Sequence, residues 1–412
     1  MNLLQSTGSL LVLIVVMAAA PYAYGSGYAV FTQGASALGQ GNAVTAHVDD
    51  PSAVFFNPAL MSGLPGTQVM LGTTLIAVDR NFSALPGGND AETKDTINYP
   101  GTFYITHKFN EKISAGLGVF SPFGLAHEWG TEWDGRYITT KTKLQTFNIN
   151  PAVSWQIIPG VALAVGVDVM FLDATLEKNI KLPSGFPDAA SKFKGDGTGV
   201  GYNAGLLIEL GKDASFGVAY RSEIKVTAKG DASFSNVPPP LQAVPTLRNS
   251  GGEADITLPQ QITAGLAYKG FDRLVLEIGM RWEGWSSFDE LKIDFDNGNP
   301  SSVSPRAWKD VYGFNAGASY RLNDTFSLLG GYLYGNTPVP DSTFDPTIPD
   351  ADTHLFSIGT DVDYKKFKVS LAYAYQMLEN RNKSNAMGDP APANGKYETD
   401  AHLLALGLTY KF

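Results

Sequence analysis

Histidine and cysteine are the residue types that most often bind metals or take part in catalysis, and this chain offers little of either. It contains no cysteine, so disulfides and thiolate metal sites are excluded. The histidines show none of the spacings that a metal site requires; they are His47, His107, His127, His354 and His402. We therefore expect no metal, no cofactor and no enzymatic activity.

The stretch AVFFNPALMSGL, residues 53–64, comes before the first segment that reads as a regular strand and is too short and broken to be a domain. It places Asn57 and Pro58 between two apolar patches. The surrounding residues 26–66 contain several glycines and do not alternate as a strand would. Their apolar side chains need burial, which a disordered tail would not give them. We expect residues 26–66 to form a plug inside a larger structure.

A second stretch, SPFGLA, interrupts a strand pattern. Residues 113–119 alternate apolar and small side chains, but Pro122 and Gly124 follow where the strand should continue. Proline cannot donate to a β-ladder, and glycine marks a bulge or a close approach of another group. The stretch either ends the strand or kinks it, and the residues alone leave both interpretations open.

The elements that must position these stretches are β-strands. At the C-terminus, HLLALGLTYKF has small or polar side chains on one face and larger ones on the other, namely Leu404, Leu406, Leu408, Tyr410 and Phe412. The segments KVSLAYAYQ, YGFNAGASYR and SFGVAYR repeat this alternation. Aromatic residues at strand ends, with small polar residues on the opposite face, are typical of a transmembrane β-barrel. A charged fraction of 17% fits such a barrel better than a soluble protein.

Turn signals set the number of strands. Short polar or Pro/Gly connections fall at 110–112, 158–160, 211–213, 270–272, 322–324 and 365–366. Longer polar stretches lie between them, at about 80–97, 127–143, 178–198, 229–255, 287–308, 336–352 and 379–400. Six short turns define twelve strands, and the segment at 67–79 and the final strand make fourteen. The pattern predicts an all-β fold, a 14-stranded antiparallel transmembrane β-barrel over residues 67–412, with short turns at one end.

The N-terminus has the features of an export signal. Residues 10–20 form an apolar run that is too short to cross a bilayer as a helix. Small residues follow, with an A-x-A-like site ending at Gly25, so residues 1–25 are predicted to be a signal peptide, although 1–9 lack the usual Lys or Arg. The net charge of −10 argues against a nucleic-acid partner.

Six motifs, taken in order with the N-terminal segment, resemble one family. SGYAVFTQGASALGQGNAVTAHVDDPSAVFFNPAL is similar to the plug, or hatch, of the FadL-type outer-membrane transporters of long-chain fatty acids and other hydrophobic compounds (OmpP1/FadL/TodX). SPFGLAHEW, EWDGRY, YRSEIKVTAKG, LPQQITAGLAY, WKDVYGFNAGASYRLNDTFSLLGGYLYGNTPVP and IPDAD follow at sensible spacing. The resemblance covers essentially the whole chain from about Ser26 to Phe412 and implies a fourteen-stranded barrel plugged by its own N-terminus.

The resemblance also implies roles for individual residues. The gate in the hatch would comprise Asn57, Pro58 and Ala59. An inward kink of the third strand would open the wall beside residues Phe123, Gly124, Leu125 and Ala126. The basic residues that would hold a ligand carboxylate are Lys178, which stands where the best-known member has an arginine, and Lys309. After IPDAD the chain has Thr353 and His354 where the family usually has an arginine, which leaves the head-group preference open.

The function implied is passive transport of long-chain fatty acids across the outer membrane. The alternative is a channel for aromatic hydrocarbons or other small hydrophobic compounds. A lipase would need a serine and a histidine on neighbouring strands, and the pattern gives no such pair; a water-filled porin would be defeated by a plug. We expect a monomer in contact with outer-membrane lipid, assembled by the barrel assembly machinery through the terminal, lipid-facing Phe412.

Overall fold

A computed structural model describes residues 27–388 and 391–412, so the predicted signal peptide at 1–25 lies outside the described residues. Across the described residues, fourteen antiparallel strands form a closed β-barrel with the N-terminal segment inside it, which confirms the predicted fold class. Within these two ranges, no helix is both long enough and apolar enough to cross a membrane.

The barrel strands follow one another around the wall. In chain order they are β1 Thr67–Ala84, β2 Gly101–Lys108, β3 Ile113–Phe120 and Gly124–Glu128, β4 Lys141–Ile158, β5 Val161–Ile180, β6 Ala189–Leu210, β7 Ala214–Arg221 and Ile224–Ser235, β8 Ser250–Leu258 and Gln261–Phe271, β9 Leu274–Glu283 and Glu290–Phe295, β10 Ser302–Pro305 and Val311–Arg321, β11 Phe326–Gly335, β12 Thr353–Tyr364, β13 Phe367–Leu378 and β14 Gly395–Lys411. The loops carry the short strands Ala91–Glu92, Ile97–Asn98 and Arg381–Lys383 and the 3₁₀ turns Pro239–Leu241, Pro245–Leu247 and Trp285–Ser287.

The seam between the first and last strands closes the barrel. β1 pairs with β14 over the full length of both, from Gln68 opposite Lys411 to Ala84 opposite Gly395. Along β14 the outward side chains at 404, 406 and 408 are exposed, whereas Leu403 and Ala405 are buried inside. The alternation read from the sequence therefore separates a lipid-facing surface from a lumen-facing one, as expected for a barrel in a membrane.

The predicted turns and loops lie where the sequence places them, but two of the predicted loops are shorter in the structure because strands extend into them. All six predicted short turns join consecutive strands, at the end of the barrel called here the short-turn end. At the opposite, long-loop end, β5 reaches Ile180 and β6 begins at Ala189, well inside the predicted loop at 178–198. β7 and β8 likewise extend into the predicted loop at 229–255. The outward face of these strand ends carries charged residues such as Lys192, Lys194 and Asp196, so their sequence looks like a loop.

The plug is the segment from residue 27 to residue 66. It contains two short helices, α1 (Ala35–Gly39) and α2 (Ala53–Phe56), followed by the 3₁₀ helix Pro58–Gly63. The apolar side chains of Val54, Met61 and Leu64 are buried, as their composition predicts. Their burial inside the barrel supplies most of the driving force that holds a segment with so little regular structure in place.

Polar contacts fix the plug to the wall. The buried carboxylate of Glu277 on β9 accepts hydrogen bonds from the backbone N–H groups of Thr45 and Ala46, at 2.6 and 3.0 Å. The same carboxylate lies 2.7 Å from Nδ1 of His47. Four strands further around the wall, Lys368 of β13 pairs with plug residue Asp49 at 2.6 Å.

Glycines on the inner wall allow the plug backbone to touch the strands. A Cβ at Gly331 of β11 would overlap the backbone of Gln40 and Gly41. The residue before it on the same strand, Gly330, has open space where its Cβ would lie. Gly331 is therefore required by a close approach of the plug, whereas Gly330 is not.

β3 and the strands β7 to β10 are each interrupted. β3 is broken at 121–123, and the breaks in β9 and β10 turn Trp285 and Trp308 into the lumen, where both are buried. Backbone pairing continues across one of these breaks, because the N–H of Gly284 donates to the carbonyl of Gln260 at 2.9 Å. At this break between β8 and β9 the sheet therefore stays closed.

Candidate functional site

The N-terminal end of the plug fills the break in β3. Ala29 and Phe123 form an isolated antiparallel bridge. The N–H of Val30 donates to the carbonyl of Pro122 at 2.8 Å, and the N–H of Gly124 donates to the carbonyl of Tyr28 at 2.9 Å. The plug thus takes the hydrogen bonds that a neighbouring strand would otherwise make at the kink. Of the predicted wall residues, Phe123 and Leu125 are buried against it.

An aromatic cluster surrounds Tyr28 directly above this bridge. The ring of Tyr28 lies 4.6 Å from that of Trp285 and 5.7 Å from that of Trp308, between ring centroids. Phe288 and Phe123 complete the cluster at 5.9 and 6.1 Å. Tyr28 Oη and both indole Nε1 atoms are buried without a hydrogen-bond partner among the described residues. The cluster is therefore an apolar barrier that still offers unsatisfied donors.

The predicted gate residue Asn57 links the plug to β6. Its Oδ1 accepts a hydrogen bond from the N–H of Ala59 at 3.1 Å and so caps the 3₁₀ helix that begins at Pro58. Its Nδ2 donates to the carbonyls of Thr45, at 2.8 Å, and Leu206, at 3.1 Å. Asn57 is completely buried, so each of these bonds replaces water that the side chain has lost.

The mouth of the barrel at the long-loop end is a wide cavity. It contains about 1360 Å³ of open space, with apolar walls that include Phe193 and Ile293. Of the two predicted carboxylate-binding lysines, Lys178 lines this cavity, whereas Lys309 is exposed and outside the lining. Arg306, which also lines the mouth, is buried and bonded to Asp345 at 2.9 Å.

Below the mouth lies a smaller apolar chamber. It contains about 400 Å³, and its walls include Tyr28, Leu125 and Phe288. It shares Leu176 and Leu291 with the mouth cavity, so the two spaces adjoin. The mouth cavity and the chamber therefore form one continuous space, and Leu125 of the predicted lateral opening and Tyr28 of the plug lie at its inner end.

A third space, called here the inner cavity, lies on the other side of the Tyr28 cluster. It contains about 860 Å³ of empty space between the plug and the wall. Phe31, Phe55 and Phe56 of the plug line it. So do Pro58 of the predicted gate and Pro122 of the β3 break, which places these two prolines around one space.

Two arginines that the sequence reading missed, Arg221 and Arg281, also line the inner cavity. The alternation on β9 contained a signal for one of them. Met280 is exposed on the outer face, so Arg281, next in sequence, has to point into the lumen. Period two could thus have marked Arg281 as a lumenal charge, whereas its contact with the plug could not have been read from the chain.

A buried carboxylate holds the beginning of the plug from the long-loop end. Oδ2 of Asp350 accepts hydrogen bonds from the N–H of Gly27 at 3.0 Å and from Oγ1 of Thr337 at 2.6 Å. Burial raises the pKa of Asp350 to about 7. The loop between β11 and β12 therefore contacts the first described residue of the plug through a group that titrates near neutral pH.

Comparison with known sequences identifies relatives of similar length. The chain is 27% identical over 402 residues to the 47 kDa outer membrane protein of Pasteurella multocida, covering 92% of each. It is 27% identical over 375 residues to a long-chain fatty acid transport protein of Escherichia coli, covering 82% of this chain and 83% of the relative.

Solved structures share the fold. A FadL homologue from Pseudomonas aeruginosa has a TM-score of 0.84 at 21% identity, covering 94% of this chain and all of that one. The toluene transporter TodX of Pseudomonas putida has a TM-score of 0.74 at 18% identity, covering 93% of this chain and 99% of that one. The model of the outer membrane protein transport protein family matches residues 16–412. With its plugged fourteen-stranded barrel, the chain belongs to that family, OMPP1/FadL/TodX, and is a protein of the outer membrane.

Proposed function

We propose that this protein takes up long-chain fatty acids by passive transport and releases them sideways into the membrane at the β3 break. The observation that carries the proposal is the bridge between Ala29 and Phe123. A gap in a barrel wall is here closed by a segment of plug that is not part of the sheet. Such a closure can open without breaking the ladder of the barrel itself, which makes it suitable as a gate.

The spaces inside the barrel support a route to that gate. The mouth cavity, the apolar chamber and the β3 break follow one another, and Leu125 belongs both to the chamber and to the predicted opening. Lys178 and the apolar walls at the mouth suit a ligand with an anionic head and a long apolar tail. The fatty acid transport protein of Escherichia coli among the relatives supports the same ligand class.

Energetics favour lateral release. Each buried methylene contributes about 0.8 kcal/mol, so a sixteen-carbon chain gains on the order of 12 kcal/mol in an apolar pocket. Release into water would cost all of that free energy, whereas release into lipid keeps the chain buried and requires no energy source. A pocket of that affinity would also retain its ligand, so release needs a movement that disrupts the pocket. The plug is not a strand of the barrel sheet, so it can make that movement.

A disulfide across the gate tests the proposal. The chain contains no cysteine, so Ala29→Cys with Phe123→Cys introduces a single pair. The hydrogen bonds flank this pair instead of joining it, and such pairs have Cα atoms close enough for a disulfide. We expect oxidised cells to lose oleate uptake and reduction to restore it, because the bridge holds the plug against the wall.

The two single-cysteine variants are the controls for lost packing at Phe123. They should transport oleate at equal rates with and without oxidant. Full uptake through a barrel shown by gel mobility to be cross-linked would overturn the lateral route, since the gate would then be shut while transport continued.

The aromatic cluster around Tyr28 favours a second candidate, uptake of aromatic hydrocarbons. Five rings pack against one another here, two of them, Tyr28 and Phe288, line the apolar chamber, and flat apolar molecules stack well against such rings. The fold shared with toluene transporters is compatible with this ligand class. Uptake of labelled oleate and labelled toluene in a deletion strain that carries this gene distinguishes the two. Rescue of toluene uptake alone would replace the fatty acid proposal.

A further inference from the structure

The wall of the inner cavity combines apolar surface with cationic groups, as the binding of an amphiphile requires. Phe31, Phe55 and Phe56 of the plug are each half-buried and present their rings to it. Leu333 of β11 adds aliphatic surface. Two guanidinium groups lie in the same wall, so the state of each decides whether the cavity can bind an anion.

The charge of Arg221 is already neutralised. Its Nη1 donates to Oδ1 of Asp168, and both side chains are buried. Asp168 also accepts hydrogen bonds from Asn148, at 2.6 Å, and Asn203, at 2.8 Å. This network pairs the guanidinium with a buried carboxylate, so Arg221 and Asp168 together bring no net charge to the cavity.

Arg281 is in a different state. Its nearest carboxylate oxygen, Oε1 of Glu283, lies 3.7 Å from Nε, beyond hydrogen-bond distance. That oxygen already accepts a hydrogen bond of 2.6 Å from Gln261. Within the described part of the chain, Nε of Arg281 is buried without a hydrogen-bond partner. The side chain is 16% exposed, and it is part of the lining of the inner cavity.

The plug orients this guanidinium. The ring of Phe31 lies 3.7 Å from Cζ of Arg281, so it covers one face of the planar group. Gly313 is opposite Arg281 on β10, and a Cβ there would lie 3.7 Å from Nη2. Phe31 covers one face of the guanidinium, and Gly313 beside it has no side chain, so the edge of the group is left available. The N–H donors of this edge can bind the two oxygens of a carboxylate together.

We propose that Arg281 is a second carboxylate site, in which the inner cavity binds a fatty acid anion after the mouth has received it. The inference rests on the proposed function. The head group bonds to the edge of Arg281, and the tail lies against the three plug phenylalanines beside Pro122 of the β3 break. Because Phe31 covers Arg281, the ligand head and the plug contact the same group, so occupancy is linked to plug position.

Binding of cis-parinaric acid and of its methyl ester to the purified barrel tests the site. The ester has the same tail without the charge. We expect Arg281→Gln to weaken binding of the acid roughly tenfold or more, the effect of losing charge-assisted hydrogen bonds, and to leave the ester unchanged. Glu283→Gln should strengthen binding of the acid, since it removes the nearby negative charge.

Arg321→Gln is the matched control, because this exposed arginine lies at the short-turn end of β10. An unchanged ratio of acid to ester affinity in both Arg281→Gln and Glu283→Gln would overturn the Arg281 site and leave the proposed function standing. A native protein that binds neither probe would overturn the proposed function itself. If Arg281→Gln fails to fold, as judged by gel mobility before and after heating, the sign of the Glu283→Gln effect decides.

Discussion

Asn57 joins the plug to the barrel wall, and the two have to separate at this point if the plug moves. Its amide spans the plug turn and the wall, with hydrogen bonds to Thr45 and Leu206. Asn57→Ala removes those bonds and the cap of the 3₁₀ helix, a cap being worth about 1 kcal/mol. We expect lower oleate uptake with an unchanged amount of folded barrel, because the plug turn loses its position relative to the wall while the sheet keeps every strand pair.

Ser62→Ala is the control for Asn57→Ala. The hydroxyl of Ser62 donates to the carbonyl of Ala59 within the same 3₁₀ helix. The contact of Ser62 with the wall is made by its backbone carbonyl, which accepts from Nζ of Lys108 on β2 and is kept in the variant. Uptake and heat-modifiable gel mobility, measured together, separate transport from folding. Equal uptake in Asn57→Ala and the native protein would remove Asn57 from the gate.

At the scale of elements, the contact between the plug and β11 depends on the absence of a side chain at Gly331. Gly331→Ala places a Cβ into the backbone of Gln40 and Gly41, whereas Gly330→Ala meets open space. We expect Gly331→Ala to displace the plug and raise the ion conductance of the barrel in planar bilayers, and Gly330→Ala to behave as the native protein. Equal conductance in both variants would mean that the plug accommodates the clash without moving.

The elements also show what the sequence could and could not predict. Period-two patterns and turn residues were sufficient for the strand order and the six short turns, because both are local properties. The interruption at Pro122 was visible, but its closure by Tyr28 to Val30 was not, since that contact joins residues distant in the chain. The breaks that turn Trp285 and Trp308 inward were missed for the same reason: their partner is an aromatic ring on the plug.

At the scale of the whole molecule, the last residue completes the seam. The N–H of Phe412 donates to the carbonyl of Thr67 at 3.0 Å, and its side chain is 68% exposed on the outer face. We propose that the barrel assembly machinery recognises Phe412, and we therefore expect Phe412→Ala to lower the amount of barrel in the outer membrane. The same variant should refold normally in detergent.

Leu408→Ala removes another exposed, outward side chain from the same strand and serves as the control for Phe412→Ala. Western blots of outer-membrane fractions, with and without heating, measure assembled barrel. An equal loss in both variants would point to a general requirement for apolar surface on β14 and against a role specific to the terminus.

The position of α1 has a consequence for biogenesis. Ser36 of α1 donates to Asp361 of β12, 325 positions later in the chain, and Leu38 packs with Leu355 and Leu403. The surface that receives the first helix is thus built from the last strands to be synthesised. A barrel that lacks these strands has no complete surface for that helix. We therefore expect docking of the plug and closure of the barrel to be completed together, so that no wide, open pore stands in the outer membrane while this protein matures.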